Sequence, residues 1–159
     1  FAGAGFSWNG ADAQDPLSLD LPTLLDRHVF FDTEGVLGRA AYELGNTYRH
    51  AGSLRPNASV LFWLLIKPER LFEPAGVTRA TLEHALAHLE QAGEPLARAR
   101  PQQGSLLVEE FAWARDLLRF ACHLGIARCA PTNSRAHLTR ELCPLIERHR
   151  SRWLALLDQ

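Results

Sequence analysis

Two histidines four residues apart, His84 and His88, lie in a stretch with helical spacing. Side chains at i and i+4 share a helix face, the arrangement that holds zinc in HExxH metalloproteases. Ala85 occupies the position where such an enzyme carries its glutamate base, and the inward stripe of the same stretch is Leu82, Leu86 and Leu89. The pair is therefore expected on a solvated face, with no metal. A second set could act as nucleophiles: Cys122 beside His123, and Cys129 and Cys143 with histidines in the surrounding sequence. Neighbouring helical residues project about 100° apart, so Cys122 and His123 cannot pair as nucleophile and base, and the thiols are expected in the core. Glu109 and Glu110 are adjacent acids in the middle of a helical pattern and point apart, which does not make the paired carboxylates of a glycosidase. No catalytic residue, metal ligand or cofactor site emerges, and the helical part of the chain reads as a structural or accessory domain.

The composition narrows the function classes further. The chain has 159 residues, 47% apolar and 22% charged, the length of one globular domain able to bury about 68–70% of its unfolded surface. A net charge of -1, with 17 basic residues interspersed among 18 acids, provides no field to gather nucleic acid or an anionic membrane. The longest apolar run, Val60–Ile66, is too short to span a bilayer. Three cysteines without CxxC spacing argue against a disulfide framework and a structural zinc site, and favour a reducing, cytoplasmic compartment. The chain opens on Phe1 and contains no methionine, so it is expected to be a piece of a longer protein.

The elements that must position these residues are mostly helices. Residues 1–12 are expected to be an extended segment, 13–19 a linker rich in Asp, Pro and Ser, and 20–159 a single helical domain, giving a mainly α protein: an antiparallel array of about five to seven helices. Asp20 and Pro22 suit the start of a first helix that ends near Phe30. Asp32 and Glu34 suit the start of a second, whose stripe includes Val36, Leu37, Ala40, Leu44, Tyr48 and Ala51, with Gly52 as its C′ residue. Gly38 and Gly45, seven apart, are expected to admit a close helix neighbour. A third helix over 58–67 is apolar on every side and is expected at the centre of the core. Thr78 caps a fourth over 79 to about 92, and Ser105 a fifth bearing Leu107, Phe111, Leu118, Cys122 and Ile126. A last helix from Arg135 carries Leu138, Leu142, Leu145, Ile146, His149, Trp153 and Leu157 inward, with a kink or restart at Pro144.

Leu44-Gly45-Asn46-Thr47-Tyr48 matches the LGxxY portion of a tetratricopeptide repeat, which makes a helical protein-interaction module the alternative reading. Pro56 and Asn57 fall where the second repeat helix should be running, and no second copy follows 34 residues later, the length of such a repeat.

Residues 32–48 with the continuation 56–62, together with 141–153 (Glu141, Pro144, Glu147, Arg150, Trp153), resemble the helical C-terminal region of bacterial proteins related to glycoside hydrolase family 20, the β-N-acetylhexosaminidases. That resemblance gives Gly3-Ala4-Gly5-Phe6-Ser7-Trp8 a meaning, because it looks like the glycine-rich last strand of the family's (β/α)₈ barrel, which closes on a tryptophan. It implies that Trp8 covers the apolar face of the bound sugar and that Asn9 bonds a sugar hydroxyl; Gly10 stands where the family usually places an acid. The family's catalytic Asp-Glu pair lies on an earlier strand, outside this chain. The implied function is a non-catalytic C-terminal domain that supports the barrel. Its implied partners are that barrel, an N-acetylhexosamine-containing glycan bound through it, and a homodimer contact, with no cofactor, nucleic acid or membrane.

Overall fold

The structure, a computed structural model, describes residues 19–53, 59–67, 76–129 and 135–157, with side chains described from 138 to 155 in the last stretch. The proposed barrel strand 1–12, with Trp8 and Asn9, and nearly all of the linker 13–19 lie outside these residues. Among the described residues six α-helices follow in order: α1 (Leu21–Leu25), α2 (Leu37–Asn46), α3 (Val60–Ile66), α4 (Arg79–Gly93), α5 (Ser105–Cys129) and α6 (Arg135–Leu157). No strand occurs among the described residues, so the chain is the mainly α array that its periodicity indicates.

Short α1 is started by Asp20, whose carboxylate accepts the N–H of Thr23 (3.3 Å) and its hydroxyl (2.6 Å). It then widens into one π turn, Asp26–Phe30, where the Asp26 carbonyl accepts the N–H of both Phe31 and Asp32. Phe31 closes the turn with φ 48°, a left-handed conformation that costs a non-glycine residue roughly 1–2 kcal/mol.

From this turn Asp32 reaches forward as the cap of α2. Its Oδ2 accepts the N–H groups of Val36 and Leu37, each at 2.9 Å, so the capping chemistry is as expected although regular helix begins only at Leu37. The helix also ends sooner than its stripe suggests. After Asn46 the chain tightens into a 3₁₀ turn, Thr47–His50, before Gly52 turns away at φ 82°. Gly38 is the close-packing glycine: a Cβ there would lie 2.0 Å from the Pro22 carbonyl of α1. Gly45 is not, because a Cβ there meets nothing within 4 Å.

Helix α4 opens with a reciprocal cap between Thr78 and Thr81 and continues past Gly93 into a 3₁₀ turn, Glu94–Ala97. It runs antiparallel to α5, as three pairings along the interface establish: Leu82 against Gly125, Glu90 against Arg119, and Gly93 against Arg115. Helix α3 lies beside α5 in the same direction, with Leu64 against Gly125 and the Arg128 guanidinium donating to the Lys67 carbonyl (3.2 Å). Helix α6 returns antiparallel, Glu141 meeting His123 and Arg152 meeting Glu110. Regular helix is unbroken through Pro144, where a restart was one of the two expectations.

The larger core joins Leu37, Ala40, Leu61, Leu64, Leu82, Leu89, Ala121 and Cys122. A smaller one, Phe120 with Leu138 and Leu145, binds α6 to the outer side of α5. Two expectations of burial are corrected. Helix α3 is flanking rather than central: Val60, Leu61 and Leu64 are buried, but Phe62 and Ile66 are 52% and 55% exposed. Its packing partner is α5, which covers one face of a two-turn helix and leaves the other open. On α6, Ile146 and Trp153 are likewise about half exposed, since the side of that helix that packs on α5 is the one bearing Leu138, Leu142 and Leu145.

Candidate functional site

Three places gather the polar and reactive side chains. At the first, the junction of α1 and α2, two carboxylates are almost fully buried: Asp26 at 5% and Asp32 at 8% exposure. They line an open cleft of about 390 Å³ with Thr23, Arg27, Phe31 and Gly35. Asp26 accepts the Gly38 N–H at 2.6 Å. Burial pushes its carboxyl above the usual range, reinforced by the negative charge of Asp32 and opposed by the Gly38 and Leu37 amides. Burial also acts to raise Asp32, but the amides of Val36, Arg100, Leu37 and Glu34 outweigh it and hold the carboxyl below the usual range. One carboxylate is thus kept ionised by four backbone donors while its neighbour is biased toward the neutral form. Opposed biases of this kind mark acid–base pairs in enzymes, yet here both oxygens of Asp32 and one of Asp26 are bound by the chain's own amides.

At the second place, His50 from the 3₁₀ turn meets the two α4 histidines. Its ring stacks on His88 (centroids 4.0 Å, interplanar angle 24°) and meets His84 edge-on (4.9 Å, 87°). His88 Nε2 lies 2.9 Å from the Glu43 carbonyl; a carbonyl can only accept, so Nε2 carries the hydrogen. The expectation of a solvated pair therefore holds for His84, which is exposed, and fails for His88, which is partly buried. The physical reason is α2 and its 3₁₀ turn, which pack across the α4 face bearing these rings. Among the described residues no three His, Cys, Asp or Glu side chains are arranged to hold a metal ion.

The third place is the seam of α5 and α6. His123 Nδ1 is 2.9 Å from both carboxylate oxygens of Glu141. Towards the other end of the seam, His149 stacks on Trp113 (3.8 Å, 15°) and its Nδ1 accepts from Arg152 Nη2 at 3.0 Å. The same guanidinium donates to Glu110, and Glu109 lies 3.9 Å from its other terminal nitrogen. Glu109 and Glu110, which point apart on α5, are thereby gathered by one arginine from α6.

No protein-family model, curated protein or solved structure matches this chain.

The thiols divide by position. Cys122 is fully buried in the larger core, where burial pushes its thiol up to about 12, and His123 beside it turns to Glu141. Cys129 and Cys143 are exposed, so the expected core placement holds for only one of three. A further open cleft of about 450 Å³ is lined by Leu96, Ala99, Pro101 and Val108 with Arg100 and Glu109. Arg100 there donates to the carbonyls of Ala97 and Ala99, which ties its charge to its own loop.

Sequence reasoning missed Asp26 and His50. Asp26 had a readable signal in Gly38, since a glycine facing a neighbouring helix lets a carboxylate reach its backbone N–H. His50 had none, because its partners are 34 and 38 residues away on another helix.

Proposed function

We propose that this chain is a non-catalytic helical domain, the C-terminal domain of a β-N-acetylhexosaminidase-type glycoside hydrolase, whose work is to support the catalytic barrel. The observation that carries the non-catalytic reading is where the reactive side chains spend their polar atoms. Asp32 and Asp26 take backbone amides, His88 a backbone carbonyl, His123 a carboxylate, and Glu110 an arginine, each joining one element to another or capping it. Groups bound in this way position helices rather than a substrate. Phe62, Ile66, Ile146, Trp153 and Leu154 are large apolar side chains left about half exposed on α3 and α6, which suits a domain that lies against another body. The family assignment itself rests on the resemblance of 32–48, 56–62 and 141–153.

The interaction-module alternative is weaker. In a tetratricopeptide unit the two helices form a hairpin, whereas here α2 packs on α1 and α4, and α3 packs on α5.

The deciding experiment reads the sequence encoded upstream of Phe1 and assays activity. An Asp-Glu pair at a strand end about 150–200 residues earlier, within one barrel length, is the expected result. The chain by itself should not hydrolyse a chromogenic N-acetylglucosaminide. Turnover that survives purification overturns the non-catalytic reading, and an upstream sequence without the pair overturns the family assignment.

A further inference from the structure

His50, His84 and His88 bring three imidazoles within ring contact where the Thr47–His50 turn crosses α4. The described charges around them are few. From α2, Glu43 places Oε2 at 3.9 Å from His88 Nε2, but its other oxygen is 3.3 Å from Arg39, so its charge is already shared. On α4, Glu83 is paired with Arg79 at 2.7 Å. On the turn itself, Arg49 donates to the Tyr48 hydroxyl at 3.4 Å. Three rings able to take up protons thus face one partly neutralised carboxylate.

We propose that the His50–His84–His88 cluster is an acid-sensitive joint, in which proton uptake by the stacked rings releases the Thr47–His50 turn from α4. Neutral imidazoles stack favourably, and a single charged ring has the Glu43 carboxylate nearby. A second charged ring places like charges about 4–5 Å apart, which one partly neutralised carboxylate does not offset, and the repulsion acts across the contact that holds the turn on α4. The cluster's direction of response agrees with its geometry. Burial first, then His88 and His84, hold His50 below the ordinary histidine value of 6.5, against the pull of Glu43. The released or unfolded chain therefore binds more protons than the packed one, so stability is full above 6.5 and is lost as pH falls through that value toward the lower folded one. Gly52, at φ 82° just beyond the turn, bounds the element that lets go.

The test follows the imidazole C–H resonances of the folded chain by NMR from about pH 8 to pH 5, with amide exchange measured at His50 and Ala51. His50 is expected to titrate below 6.5, and the protection of the turn, corrected for intrinsic exchange, to fall severalfold as the pH is lowered from about 8 to 5. His50→Phe keeps a flat ring on His88 without a proton site and should flatten that pH dependence; if it does not fold, His84→Gln at the exposed position should reduce it. A His50 titration at or above 6.5, or a turn whose protection does not change with pH, overturns the proposal.

Discussion

The carboxylate of Asp32 accepts the backbone N–H of Arg100 at 2.6 Å, across 68 residues of chain. The same carboxylate caps α2 through Val36 and Leu37. One side chain therefore fastens the start of α2 to the loop between α4 and α5, and Gln102 N–H to Phe30 O (3.2 Å) with Gln103 to Val29 O (2.8 Å) sews the same seam.

Asp32→Asn should lower stability by about 2–4 kcal/mol, because an amide offers one acceptor oxygen where the carboxylate uses two, and the unmatched N–H groups are desolvated. Urea denaturation followed by circular dichroism measures it. A loss below about 0.5 kcal/mol, the scale of an ordinary surface substitution, would show that water replaces the bonds.

Asp26→Asn should behave in the opposite way. Its raised carboxyl contributes stability that is fully present below the unfolded value of 3.8 and is lost as pH rises through the folded one, so at neutral pH the ionised group is a burden. The asparagine can keep its oxygen toward Gly38 while removing the repulsion with Asp32, and stability near pH 7 should stay level or rise by about 1 kcal/mol. The advantage over wild type should shrink as the pH is lowered toward 4 in a denaturation series. An advantage that grew with acidity would contradict this account.

The two glycines of α2 should separate cleanly. Gly38→Ala drives a methyl against the Pro22 carbonyl and the Asp26 carboxylate, forcing α1 away, with a loss of about 2 kcal/mol or more. Gly45→Ala meets open space in a helix and should gain up to about 1 kcal/mol from helix propensity. Thermal melts of both variants beside wild type decide it, and equal effects would refute the α1–α2 crossing.

Thiol chemistry should distinguish Cys122 from its counterparts. At neutral pH a maleimide should modify Cys129 and Cys143 quickly, while Cys122, buried and held as the thiol, reacts only on unfolding. Mass spectrometry counting the adducts on native and denatured protein gives the answer; three fast adducts on the native chain would place Cys122 at the surface.

What the sequence by itself determined was local. Spacings of three and four, Thr78 before α4 and Asp20 before α1 with Pro22 in its first turn are read within one or two turns of chain, and those elements stand close to where the residues place them. The capping role of Asp32 was equally legible, because its amides are its near neighbours. Tertiary structure alone decided which faces are covered. Periodicity describes a helix's own stripe, whereas burial depends on a second element that arrives from far along the chain. Helix α3 is apolar all round, yet only the side that meets α5 is buried. His84 and His88 share a face that looked solvated until His50 was laid across it, and the second partner of Asp32 is Arg100, a loop amide that no spacing announces. Caps follow from short-range bonds, while the histidine cluster and the α1–α2 seam exist only because packing closes long loops upon them.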